Sequence, residues 1–140
     1  MQLHPIISTM YSNDAFSQWM GIERLKESEG YCKLRMTIRP EMCNGFGLCH
    51  GGITFSFADS CLAFASNSKG KHAVSIETSI SHTAPLLAGE SIIAESKEMN
   101  TTQHTCLYYI TLTKESTGAV VALFKGTCYR KNKDWNAVDG

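Results

Sequence analysis

An aspartate in the middle of an apolar run is the first residue of this chain whose placement asks for a chemical reason. The run is HGGITFSFADSCLAFAS, from His50 to Ser66, and the acid is Asp59. An unpaired carboxylate moved into an apolar interior is costly unless it is hydrogen-bonded or takes up a proton. Partial desolvation raises the pKa of such an acid and makes it a stronger base. It can then activate a water or attack a carbonyl carbon itself. The run opens on His50-Gly51-Gly52, where backbone N–H groups lack intrahelical partners and the helix dipole favours negative charge. A carbonyl docked there would develop its oxyanion against a fixed donor, an arrangement worth about 10²–10³ in rate. Asn44, just upstream in EMCNGFGLCHGG, carries an amide that both donates and accepts, although Asn-Gly is also a common turn pair. His72, His82, His104 and the scattered cysteines raise the question of a metal. Cys49-His50 has no second pair at zinc-site spacing, and Asp59 would be one isolated oxygen ligand, so no metal and no cofactor are expected.

These residues need elements to hold them. Ser12 or Asn13 is placed to cap a short helix through DAFSQWMG that stops at Gly21. YCKLRMTIRP alternates cleanly, with Cys32, Leu34, Met36 and Ile38 on one face and Lys33, Arg35, Thr37 and Arg39 on the other. It predicts a strand with one wet face, ended by Pro40. A glycine-rich loop follows, then a helix from about Gly52 to Asn67, with Gly70 in the loop that ends it. Four strands come next: AVSIETSISH, with Val74, Ile76, Thr78 and Ile80 sharing a face, then ESIIAESKEM, QHTCLYYITLT and GAVVALFKGTCYR. Their short connections predict antiparallel neighbours. The tail KNKDWNAVDG reads as irregular. A single antiparallel sheet with one apolar face needs cover, and only the apolar helix is long enough to supply it. The expectation is an α+β fold, a curved sheet wrapped around one helix, with residues 1–140 as a single domain.

With 140 residues the chain can bury a substantial core. Thirteen basic and thirteen acidic residues balance, and no basic stripe appears. Nothing points to nucleic acid or an anionic membrane surface. The first residues lack the pattern of a secretory signal, and Asp59 interrupts the longest apolar stretch, so a soluble cytoplasmic protein with free thiols is expected.

The element order, taken with NGFGLCHGGITFSFAD, resembles the hotdog-fold thioesterases, and among them the PaaI-like group of the phenylacetate-pathway type. The likeness runs over nearly the whole chain, including MYSNDAFSQWMGI, ADSCLAFASNS and VALFKGTCYRK. Its most specific part is Asn44, His50-Gly51-Gly52 and Asp59 in one register. The resemblance implies hydrolysis of an acyl-coenzyme A thioester at sites shared across a homodimer with a continuous sheet, the dimers commonly pairing again into tetramers. It implies Asp59 as the catalytic carboxylate, the Gly51 N–H as the carbonyl donor, and Asn44 beside the substrate from the subunit opposite Asp59. His50 and Gly52 would lie near the thioester. Ser75 matches a position where some relatives carry a hydroxyl that positions water.

Two other readings stay open at this point. A hotdog dehydratase or hydratase usually pairs a catalytic histidine with an acid at a different spacing. A non-catalytic acyl-thioester binding or regulatory protein would normally need an effector domain, and no basic recognition helix is visible. Phe46, Phe55, Phe57, Phe64, Tyr108 and Tyr109 could line an acyl pocket or simply form core.

Overall fold

The computed structural model of the chain describes residues 3–135. Helices α1 (Pro5–Ser12) and α2 (Ala15–Trp19) are followed by strands β1 (Glu23–Ser28) and β2 (Tyr31–Thr37). A single 3-10 turn (Pro40–Met42) leads into the long helix α3 (Gly51–Asn67). Strands β3 (Lys71–His82), β4 (Ser91–Thr101), β5 (Thr105–Lys114) and β6 (Val120–Asp134) complete the chain. All six strands form one antiparallel sheet in the order β1-β2-β4-β5-β6-β3.

The sheet curves around α3, and register shifts in four of the five strand pairs contribute to that curvature. Phe57, Leu62 and Phe64 of α3 are buried against Leu34 and Met36 of β2, Ile92 of β4, Ile110 of β5 and Phe124 of β6. An apolar helix with little amphipathic bias suits this place, because it is enclosed on most sides. β2 matches its alternation: Cys32, Leu34 and Met36 are sealed while Lys33, Arg35 and Thr37 face outward. Phe57, Phe64 and Tyr108 are core; Phe55 packs edge-on against Phe124. No helix among the described residues is long and apolar enough to cross a membrane.

Several expectations are corrected. The cap of α2 is neither Ser12 nor Asn13 but Asp14, whose Oδ1 accepts from the Ser17 N–H at 2.9 Å. Asn13 instead closes α1, a helix absent from the sequence reading; His4 caps it, and Ile7 anchors it in the core. Strand β1 was also not foreseen, because its residues ERLKES are too polar to show alternation. It is a sheet edge whose buried Glu27 is paired with Arg24 and accepts the His4 N–H. The tail is strand as far as Asp134; residues 136–140 lie outside the described range.

The largest correction concerns β3. It does not neighbour β4 but pairs with β6 at the far edge of the sheet. Residues 83–90 carry the chain across to β4, passing the start of α3: the Leu86 carbonyl accepts from the Cys49 N–H at 2.8 Å, and the Glu90 carbonyl accepts from the Ile38 N–H at 2.9 Å. Nor do Val74 and Ile76 share a face with Thr78 and Ile80. Ser75 pairs with Cys128 and Glu77 with Thr127, leaving Ile76 as an extra residue. Directly paired residues point to one side, and Cys128 is buried, so this bulge turns Ser75 toward the helix and Ile76 outward.

Candidate active site

Among the polar groups of helix α3 that the rest of the described chain leaves unpaired, two could act on a carbonyl. The first is at its start. His50 is the N-cap, and its Nδ1 accepts from the Gly52 N–H at 2.9 Å. That occupies the Gly52 donor and leaves the proton of a neutral His50 ring on Nε2. The Gly51 N–H has no acceptor among the described residues. It opens on a cleft of about 390 Å³ lined by Asn44, Leu48, Thr54, His82 and the 83–86 crossing.

Asn44 heads a tight loop. Its Oδ1 accepts from the Phe46 N–H at 2.9 Å and the Leu48 N–H at 3.2 Å. The turn therefore consumes the side-chain carbonyl and leaves the amide Nδ2 as the group able to meet a ligand. Phe46, at the tip, is 89% exposed.

His82 and Thr54 were not foreseen here. The Thr54 hydroxyl donates to the Gly51 carbonyl at 3.0 Å and stands 2.6 Å from His82 Nε2. With its hydrogen so used, Thr54 accepts from Nε2–H, and Nδ1 of a neutral His82 is left as an acceptor. A Cβ on Gly51 would come within 3.2 Å of the His82 ring. No local pattern could announce this, because the end of β3 reaches the start of α3 only through the folded sheet. His72 stacks on Trp135 and His104 on Tyr129, each remote from this cleft's lining.

The second unpaired group is Asp59, two turns further along α3. It is half-buried and accepts no hydrogen bond from any described residue; desolvation raises its pKa above the ordinary aspartate value. Its cleft, about 230 Å³, is lined by Leu62, Ser66, Ser75 and Cys128 among others. The β3 bulge is what brings Ser75 there. No residue lines both clefts. Asp59 is eight positions beyond Gly51, which at the α-helical rise is about 12 Å, too far for one thioester carbonyl to meet both groups of one chain.

The thioesterase superfamily profile matches residues 46–121. A protein of Archaeoglobus fulgidus, whose name assigns it provisionally to the esterases, is 42% identical over 90% of this chain and 81% of its own length. The acyl-coenzyme A thioesterase PaaI of Escherichia coli is 36% identical over 86% of each chain. The solved structure of the E. coli PaaI protein superimposes with a TM-score of 0.89 at 33% identity, covering 92% of this chain and 93% of that one. With its sheet-wrapped helix, this chain belongs to the thioesterase superfamily, as a hotdog-fold homologue of PaaI.

Proposed function

We propose that the protein is an acyl-coenzyme A thioesterase whose active site is completed between two copies of the chain. The unpartnered, desolvated carboxylate of Asp59 carries this reading. A structural aspartate would be bonded to a neighbouring N–H or hydroxyl, whereas this one is held ready for something outside the chain. In the proposed reaction the thioester oxygen sits on the Gly51 N–H of one subunit. Asn44 Nδ2 of that subunit orients it, and Asp59 of the other subunit works on the carbonyl carbon as nucleophile or as base for a water. Ser75, in the Asp59 cleft, orients that water. Addition of the oxygen nucleophile places negative charge on the carbonyl oxygen, where a fixed donor acts most strongly. Collapse breaks the C–S bond, coenzyme A leaves as its thiol, and water supplies the oxygen of the free acid.

The same reading assigns one domain to the chain and a dimer formed along β3. This strand is a long open edge beside the Asp59 cleft, with Val74 45% and Ile76 60% exposed. Such an edge is a ready surface for pairing. Tyr109 and Leu123 on the outer face form an apolar patch that pairing of dimers into a tetramer would cover. Six free cysteines fit a reducing compartment such as the cytosol. Relation to PaaI supports the substrate class, while the acyl group is best read from a panel of coenzyme A esters assayed by thiol release. The deciding variant is Asp59→Asn. It should remain a folded oligomer and lose thioester hydrolysis by about 10²-fold or more. Turnover near that of the unmodified protein would refute the assignment.

A further inference from the structure

Three cysteine pairs lie close together in this fold, and their backbone geometry separates them. Cys106 and Cys128 face each other across β5 and β6, both buried. The adjacent pair, Thr105 with Tyr129, is flanked by the bond from Arg130 N–H to the His104 carbonyl. Adjacent pairs alternate in type, so Cys106 and Cys128 occupy a hydrogen-bonded position; their thiols are hydrogen-bonded to each other, but burial closes both to a small oxidant. The Cys61 thiol donates to the Cys32 carbonyl at 3.5 Å, and both residues are sealed in the core.

Cys43 and Cys49 differ on each count. They are direct partners in an isolated antiparallel bridge. The bonds that make the bridge belong to their neighbours: Asn44 N–H to the Leu48 carbonyl at 2.7 Å, and His50 N–H to the Met42 carbonyl at 2.8 Å. That defines a non-hydrogen-bonded pair, with Cα atoms about 4.5 Å apart and both side chains on one side. Disulfides accept Cα separations of about 4.4–6.8 Å. Both thiols are partly exposed, and each has only a long contact, Cys43 to the Arg39 carbonyl at 3.8 Å and Cys49 to the His50 carbonyl at 3.6 Å. Between them lie only residues 44–48, the loop that carries Asn44.

We propose that Cys43 and Cys49 are a thiol-oxidation site, which a low-molecular-weight disulfide such as glutathione disulfide converts into a disulfide across the neck of the Asn44 loop. One cysteine thiolate attacks the small disulfide, whose S–S bond breaks and releases one small thiol. The other cysteine, deprotonated, attacks the protein-bound sulfur and expels the second small thiol. The protein is oxidised by two electrons and loses two hydrogens; the small disulfide is reduced to two thiols. Burial and the nearby Cys43 push the Cys49 thiol up to about 11, so closure is slow and exposure to oxidant must be long. The site stands on backbone geometry alone and does not depend on the catalytic reading.

The test treats the native oligomer with glutathione disulfide, alkylates the remaining thiols under denaturing conditions and measures intact mass. The expected product has lost the mass of two hydrogens and has two fewer alkylated cysteines. No lysine or arginine lies between the two, so a protease cutting after Phe46 or Leu48 is used. The two pieces should stay joined until a reductant is added. Cys43→Ser and Cys49→Ser should each abolish the link and retain a glutathione on the remaining thiol, while Cys106→Ser should leave it unchanged. Six alkylatable thiols, stable glutathionylation of the unmodified chain, a link at Cys106, or a link between chains would each overturn the proposal.

Discussion

At the scale of single residues, Asp59 and Gly51 are each marked by a missing partner, and each gives a separable prediction. Because burial raises the Asp59 pKa, the folded chain holds that proton more tightly than the unfolded chain does. Stability therefore falls as pH rises from the ordinary aspartate value through the raised one, and the ionised acid is a standing cost above it. Asp59→Asn should melt at or above the temperature of the unmodified protein near neutral pH. Its advantage should vanish below the ordinary aspartate range, as followed by thermal unfolding across pH. Hydrolysis should move oppositely, falling as the acid takes up its proton. Gly51 allows a cleaner dissection. It is the first residue of α3, where proline is well tolerated, and His50 already has the extended backbone (φ −63°, ψ 137°) that a following proline requires. Gly51→Pro removes the N–H and should lower kcat by about 10²–10³. Gly51→Ala keeps that N–H, meets a side chain, the His82 ring at 3.2 Å, as its nearest neighbour, and should lose much less.

At the scale of elements, the two clefts depend on how closely α3 meets the sheet. The tightest approach is at Gly126 of β6, where a Cβ would lie 2.4 Å from Leu62 Cδ2 and 3.2 Å from Phe124. Leu62 is sealed in the core, which limits its room to yield. Gly126→Ala should destabilise the fold by about 1–3 kcal/mol in chemical denaturation, the usual range for overpacking. An unchanged midpoint would mean that α3 shifts freely over the sheet. The bulge in β3 is the second device at this scale. It spends one extra residue, Ile76, to aim Ser75 at the helix, which a regular strand with the alternation of AVSIETSISH would not do.

At the scale of the whole molecule, the proposed function makes the two clefts halves of sites that only the pairing of two chains would complete. If so, two inactive variants with lesions in opposite halves should complement. Asp59→Asn subunits mixed and exchanged with Gly51→Pro subunits would form hybrid dimers, each holding one undamaged site. Random exchange makes half of the dimers hybrid with one of two sites intact, so activity should recover to about a quarter of the unmodified level. No recovery after exchange verified by mass would refute the division of each site between two chains.

Much of this protein is legible in its sequence because local chemistry decides it. The glycines and the apolar run set α3, period-two alternation sets β2, and Asp59 stands out as the one charged residue of that run. α1 and β1 are not legible, because packing of Ile7 and the buried Arg24–Glu27 pair hold segments whose own patterns are weak. Residue types alone do not separate the neighbouring glycines, and only the resemblance singles out Gly51; the physical distinction depends on His50 folding back onto the Gly52 N–H and leaving that of Gly51. The exchange of β3 to the far edge, the bulge that turns Ser75, and the arrival of His82 beside Gly51 are decided only in the tertiary structure. They arise from wrapping a curved sheet around a helix, which joins residues distant in sequence by a geometry that no local pattern contains.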